Sequence, residues 1–195
     1  SQIAGASILY NSPFGIIING NLDLKKLENC FKALIDRHES LRTSFEMQNN
    51  KLVQKISDSI DFKLQFINNI GFNDIDSILK NFVKPFDLSQ APLFRVEIVQ
   101  FIDCRYALFI DIHHIISDGA SINILSNELT KLYNNETLEE LKISYKDFAV
   151  FENERFKNGL LSDAENYWLN QFKDGVPVLD MPTTYSRPST QSFNG

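Results

Sequence analysis

Residues 105–112 (RYALFIDI) are apolar on both faces of an extended chain, with Tyr106, Leu108, Ile110 and Ile112 on one side and Ala107 and Phe109 on the other. Asp111 stands alone among the second set. A strand of this kind must be covered on both sides, so it belongs in the middle of a sheet with helices over its faces. Residues 93–101 form an equally long β-like run, joined to the first through Ile102-Asp103-Cys104 as a hairpin. These two strands fix the centre of the fold, and the other elements are arranged around them.

Short apolar, β-branched segments predict further strands over residues 14–19, 41–47, 51–56 and 62–67, with Gln48-Asn49-Asn50 as a hairpin turn. Asp23 predicts the N-cap of a helix from Leu24 to His38, whose apolar stripe (Leu24, Leu27, Phe31, Leu34, Ile35) leaves His38 near the core side of its end. A second amphipathic stripe (Phe72, Ile75, Ile78, Leu79, Phe82) ends before Lys84-Pro85, because a residue preceding proline is pushed out of the helical region. Helices are predicted over 119–134, 145–157 and 163–173, followed by a proline-containing extended tail over 176–195. No internal repeat and no low-complexity tract interrupts this order.

The chain has 195 residues and a formal charge of −6, from 19 basic and 25 acidic side chains. No stretch gathers the Lys and Arg that a phosphate backbone requires, which argues against nucleic acid as a partner. No apolar run approaches the roughly 18–20 residues of a membrane span, and Ser1-Gln2-Ile3 opens no secretory signal. A cytoplasmic location is therefore expected. Cys30 and Cys104 sit in separate apolar patterns without metal or redox spacing, so both are expected to be small buried side chains. The absence of an initiating Met and of a terminating pattern at 191–195 is what a piece of a longer chain would show.

The chemistry concentrates in His113-His114-Ile115-Ile116-Ser117-Asp118-Gly119, where the covered strand leaves the sheet and a helix is about to begin. Two of the three histidines stand there together. If strand alternation holds through residue 114, the two rings point to opposite faces, His113 with Phe109 and Asp111, His114 with the Tyr106–Ile112 set. A neutral imidazole, with an ordinary pKa of about 6.5, can accept or position a proton on a nucleophile at pH 7. Asp118 can cap the following helix or pair with an arginine, and Gly119 lets backbone and its N–H donor approach a ligand closely. Spacing alone leaves two readings open, since adjacent histidines after a strand also serve as satisfied structural groups. A metal site lacks further His or Cys ligands nearby, and a Ser-His-Asp hydrolase lacks its GxSxG elbow.

These residues match HHxxxDG, and they stand in order with Tyr10-Asn11-Ser12-Pro13-Phe14, Gly20-Asn21-Leu22-Asp23, Arg37-His38-Glu39-Ser40-Leu41-Arg42-Thr43-Ser44-Phe45, Phe86-Asp87-Leu88-Ser89-Gln90-Ala91-Pro92-Leu93, Tyr145-Lys146-Asp147-Phe148, Tyr167-Trp168-Leu169 and Arg187-Pro188-Ser189-Thr190-Gln191-Ser192-Phe193. Through nearly its whole length the chain resembles the amino-terminal half of a condensation domain of nonribosomal peptide synthetases. HxxxDG alone is shared across the chloramphenicol acetyltransferase-like superfamily, whereas RHExLRTxF with the Arg-Pro and Gln-Ser-Phe segment is much more specific. Ala120 departs from the pattern, standing where many relatives carry Trp.

The resemblance implies an α/β (α+β) two-layer sandwich, one chloramphenicol acetyltransferase-like lobe with a mixed sheet covered by helices. It implies residues 1–175 as that lobe and 176–195 as the segment leading to a second lobe, with a tunnel between the two. It also implies that His114 contacts an attacking amine, that His113 and Asp118 are structural, and that Gly119 lies near the acyl carbonyl. Arg37 is then the first candidate, and Arg42 the second, to pair with Asp118. No directly bound cofactor is expected. Substrates would arrive on the 4′-phosphopantetheine of donor and acceptor peptidyl carrier domains, with an adenylation domain in the same polypeptide. A coenzyme A-dependent acyltransferase and a non-catalytic carrier-docking lobe are the alternatives.

Overall fold

A computed structural model describes residues 8–71, 75–103, 105–178, 181–186 and 189, with the side chains of residues 69 and 70 left aside. The expected burial of Cys104, the place of Phe72 in its helical stripe, and the Arg187–Phe193 signature apart from residue 189 lie outside them. The chain divides into two compact units, Ser1–Ser144 and Tyr145–Gly195.

Among the described residues the first unit contains six strands, β1 (Asn11–Ile18), β2 (Thr43–Gln48), β3 (Lys51–Ile56), β4 (Gln65–Ile70), β5 (Phe94–Phe101) and β6 (Tyr106–His113), with helices α1 (Leu24–Arg37), α2 (Ile75–Phe82) and α3 (Gly119–Tyr133). Four strands form one sheet in the order β1-β6-β5-β4, and β2 pairs with β3 in a separate hairpin. β6 runs antiparallel to both its neighbours, β1 and β5, while β4 is parallel to β5. Parallel neighbours need a crossover connection, and α2 supplies it. The sheet is therefore mixed, as the resemblance implies.

The inward alternation of β5 and β6 assigns their two faces. Phe94, Val96, Ile98, Leu108 and Ile112 pack with Leu27, Phe31, Leu34 and Ile35 of α1 and with half-buried side chains of α3. Val99, Phe101, Ala107 and Phe109 pack with Phe82 and the apolar stripe of α2 on the opposite face. Both faces of the β5–β6 hairpin are thus covered, as the two-sided apolar pattern requires. Each fully buried Leu, Ile or Phe contributes about 2 kcal/mol through removal from water, which makes this hairpin the anchor of the unit. Gly15 is needed at its place in β1, because an added Cβ would lie 2.7 Å from Cδ1 of Phe109 across the strand pair.

Local chemistry sets the element ends. Asp23 caps α1 by accepting from the Lys26 N–H at 2.9 Å. Asn49 and Asn50, both at positive φ, make the two-residue turn between β2 and β3, where Gln48 pairs with Lys51. Cys30 is buried in α1 and its thiol is pushed up by desolvation. Several expected boundaries move, β1 beginning at Asn11 rather than Phe14 and β4 ending at Ile70 rather than Ile67. Residues 39–42 form a 3₁₀ turn before β2, since Thr43 Oγ1 donates to the Glu39 carbonyl, and β4 begins at Gln65 rather than Phe62, whose ring is drawn into the core against Phe31 and Phe94.

The second unit holds α4 (Tyr145–Lys157) and α5 (Ser162–Gln171), neither with a buried residue. Residues 176–178 follow without regular structure. No helix among the described residues is long and apolar enough to cross a membrane.

Candidate functional site

Strand β6 ends at His113, so alternation does not carry through to residue 114. The His113 side chain is 5% exposed and lies on the same face as Phe109 and Asp111, between the ring of Tyr10, 6.3 Å away, and the edge-on ring of Phe86 at 6.1 Å. Its Nδ1 accepts the Ile115 N–H at 3.0 Å, which leaves the proton of the neutral ring on Nε2. Burial, and secondarily the neighbouring His114, hold its pKa below the ordinary imidazole value. The His113 carbonyl accepts from the Ile116 N–H at 3.1 Å and from Ser117 Oγ at 3.2 Å. One residue therefore fastens the whole turn that follows it.

His114 stands exposed on that turn. Its backbone N–H donates to the Tyr10 carbonyl at 2.8 Å, an extension of the β1–β6 pairing that fixes the main chain and leaves the imidazole free to meet a ligand.

Asp118 is the N-cap of α3. One carboxylate oxygen, Oδ1, accepts the Ser121 N–H at 2.8 Å and the Ser121 hydroxyl at 2.7 Å, while the Asp118 N–H donates to Ser121 Oγ at 3.2 Å. The Ser121 hydroxyl first, then the backbone N–H groups, and last the charge of nearby His114, hold the Asp118 carboxyl below its ordinary range. Gly119 opens the helix, and a Cβ added there would meet nothing within 4 Å. Helical backbone needs no glycine at this position, so the open space beside it is what the residue leaves available.

The expected pairing of Asp118 with an arginine is corrected by the geometry. Arg37 Nε donates to Glu128 at 3.1 and 3.2 Å, and His38 Nε2 lies 2.6 Å from the same carboxylate. Arg42 turns to backbone, bonding the carbonyls of Ile35 and Asp36 at the end of α1 and that of Ser57. The physical reason is proximity: Glu128 on α3 faces the carboxyl end of α1, while Asp118 is satisfied within its own turn. Glu128 was not singled out in the sequence, although it lies at helical spacing from Leu125 and Leu132, which face the core.

A second polar group lies under His113. Asp111 is 0% exposed, and its Oδ2 accepts from Asn11 Nδ2 at 2.7 Å and lies 3.6 Å from Arg95 Nε. Desolvation raises the Asp111 carboxyl, opposed by the Asn11 bond and the Arg95 charge, and burial lowers Arg95 against the pull of Asp111. The sequence shows Asp111 as an oddity on an apolar strand, and the fold supplies its partners. On the α1–α3 side, His38, Ser40, Leu41, Ile116, Ser121, Ile124 and Leu125 line a half-open hollow of about 90 Å³ next to the Asp118 cap.

Comparison with known proteins gives a consistent picture. The family model "Condensation domain" matches residues 1–195. Gramicidin S synthase 2 of Aneurinibacillus migulanus is 48% identical over 196 residues, covering 100% of this chain and 4% of that protein. Surfactin synthase subunit 1 of Bacillus subtilis (strain 168) is 44% identical over 195 residues, 100% of this chain and 5% of that protein. The chain thus spans only a few per cent of the length of these curated relatives. Among solved structures, the X-domain from teicoplanin biosynthesis superposes with a TM-score of 0.82 at 21% identity, covering 96% of this chain and 44% of that one. The condensation domain from the Monacolin K polyketide synthase MokA gives 0.76 at 21% identity, covering 93% and 40%.

Proposed function

The chain belongs to the condensation-domain family, and from that premise we propose that it is part of an amide-forming acyltransferase that joins aminoacyl or peptidyl thioesters held by carrier domains. The reaction is attack of an acceptor's α-amine on a donor thioester. A C–N bond forms, the C–S bond breaks, and the donor carrier leaves as a free thiol that takes up the proton lost by nitrogen. An α-amine has a pKa of about 7.7–8.0, so a useful fraction is neutral at pH 7 and needs positioning more than prior deprotonation. The observation that carries the reading is the exposed His114 on a turn fastened from behind by the buried ring of His113. His114 orients the amine or collects its proton as the tetrahedral adduct forms, a contribution of roughly 10²–10⁴ if it acts as a general base.

In this reading Asp118 is a structural group that sets the start of α3, and Gly119 leaves room for the acyl carbonyl beside the first backbone N–H groups of that helix. Arg37 and Arg42 support the site at one remove, through Glu128 and the end of α1. The thioesters arrive on 4′-phosphopantetheine arms that belong to the donor and acceptor peptidyl carrier domains, so this chain holds no cofactor of its own. We take residues 1–175 as the amino-terminal lobe and 176–195 as the link to a second lobe, with an adenylation domain in the same polypeptide.

The test is amide formation from carrier-loaded donor and acceptor in the full-length protein that carries this chain. His114→Ala is expected to lower the rate at least 10²-fold with an unchanged melting temperature. Near-normal product would remove His114 from the chemistry. Turnover with coenzyme A-linked donors in preference to carrier-linked ones would instead make the protein a free-standing acyltransferase.

A further inference from the structure

The Asp111–Arg95–Asn11 group has no part in the chemistry above, yet burying the Asp111 carboxylate fully, beside a half-buried Arg95, costs several kcal/mol unless it is well partnered. Here the partnering is incomplete, because Asp111 Oδ1 and Asn11 Oδ1 are both buried without a hydrogen-bond partner. Replacing a buried ion pair by apolar residues is commonly neutral or stabilising, so stability alone is a weak account of it. The contacts indicate what else the group does. Arg95 donates to the carbonyls of Phe82 and Pro85 at 3.2 and 3.4 Å, binding the carboxyl end of α2, and lies 3.8 Å above the ring of Phe86. Asn11 bridges Asp111 to the Lys84 carbonyl at 2.9 Å. The segments held this way adjoin the surroundings of His113: Tyr10, next to β1, and Phe86 flank its ring, and its backbone N–H donates to the carbonyl of Leu93, next to β5, at 2.9 Å.

We propose that Asp111, Arg95 and Asn11 are positioning residues that hold the cage around His113 and thereby set the turn that presents His114. The carboxylate draws Arg95 over Phe86, Phe86 presses its ring against the imidazole of His113, and the imidazole holds the Ile115 amide through Nδ1. His114 stands within that fastened turn. The hydrogen bonds of Asn11 to Asp111 and the Lys84 carbonyl, and of Arg95 to the carbonyls of Phe82 and Pro85, do this better than an apolar cluster, because hydrogen bonds fix angles that dispersion contacts leave loose. The inference rests on the role given to His114 above.

The experiment uses the full-length protein with three variants, Asp111→Asn, Arg95→Gln and the double Asp111→Asn/Arg95→Gln, together with the milder Asn11→Ala. Three readouts are taken: amide formation at saturating carrier-loaded substrates, thermal stability, and hydrogen exchange of the peptide spanning 113–118. The double variant is expected to regain most of the melting temperature lost by either single one, since no charge is left unpaired. It should still form amide at least tenfold slower than wild type, with substrate concentrations at half-rate within about twofold, and exchange residues 113–118 at least tenfold faster. Asn11→Ala should show the same split with a smaller loss of stability, and it carries the test if Asp111→Asn does not fold. Recovery of rate together with stability in the double variant overturns the proposal, as does unchanged exchange over 113–118 in the folded variants. If the wild-type protein forms no amide, the functional reading falls by itself; the exchange result then still decides whether these residues hold the turn.

Discussion

At the scale of single residues, the two histidines of the motif have been given opposite environments by one strand end. His113, buried and neutral, is sensitive to acid. Its folded-state pKa lies below the ordinary 6.5 or so, so in that window the unfolded chain binds more protons than the folded one and stability falls as pH falls. The melting temperature is expected to decline between pH 7 and 5 more steeply in wild type than in a folded His113→Asn variant; parallel profiles would contradict the buried neutral ring. Asp118 acts lower on the scale. Its depressed carboxyl contributes stability that is present above the ordinary carboxylate value and lost as pH falls through the depressed one. Asp118→Ala should lower the melting temperature at pH 7, whereas Asp118→Asn, which keeps a capping oxygen, should stay near wild type there. Equal losses in the two variants would mean that Asp118 does more than cap.

At the scale of elements, the site depends on where α3 begins, and α3 is fixed at two points. The cap at Asp118 sets its start, and Glu128, two to three turns on, ties it to the end of α1 by bonding Arg37 and His38 together. All three side chains are 14–19% exposed, so these bonds are little weakened by water. Glu128→Gln leaves Arg37 without its counter-charge and is expected to cost about 2 kcal/mol, in the range of charge-assisted hydrogen bonds, read as a lower urea midpoint with an unchanged slope. A shift within error would show that apolar packing alone holds α1 on α3. Helix extents and the Asp23 cap were legible in the sequence here, because Asp23 and the 3.6-residue stripes act over one or two turns, whereas for Asp118 the sequence left a cap and an arginine pair both open. The ionic tie between helices was not, since its partners are 90 and 91 residues apart.

At the scale of the whole chain, stability is concentrated in the β5–β6 hairpin, where helices cover both faces. In hydrogen exchange the amides of Ile98 and Leu108 are expected to be among the last to exchange, and those of α4 and α5, which bury no side chain, at least tenfold faster. Comparable protection in the two units would refute that gradient. From its residues alone, the chain determined the central covered strand, the helices and the Asp23 cap, the asparagine hairpin turn, and the motif at the point where strand gives way to helix. These are local facts, carried by side-chain periodicity and backbone preference within a few residues. The tertiary structure decided which strands neighbour one another, the parallel crossing of β4, the partners of Arg37, Arg42 and Asp111, and the end of β6 that buries one histidine and exposes the next. Those depend on groups brought together from distant points of the chain, whose competition for hydrogen bonds and burial is settled only when the layers close on each other.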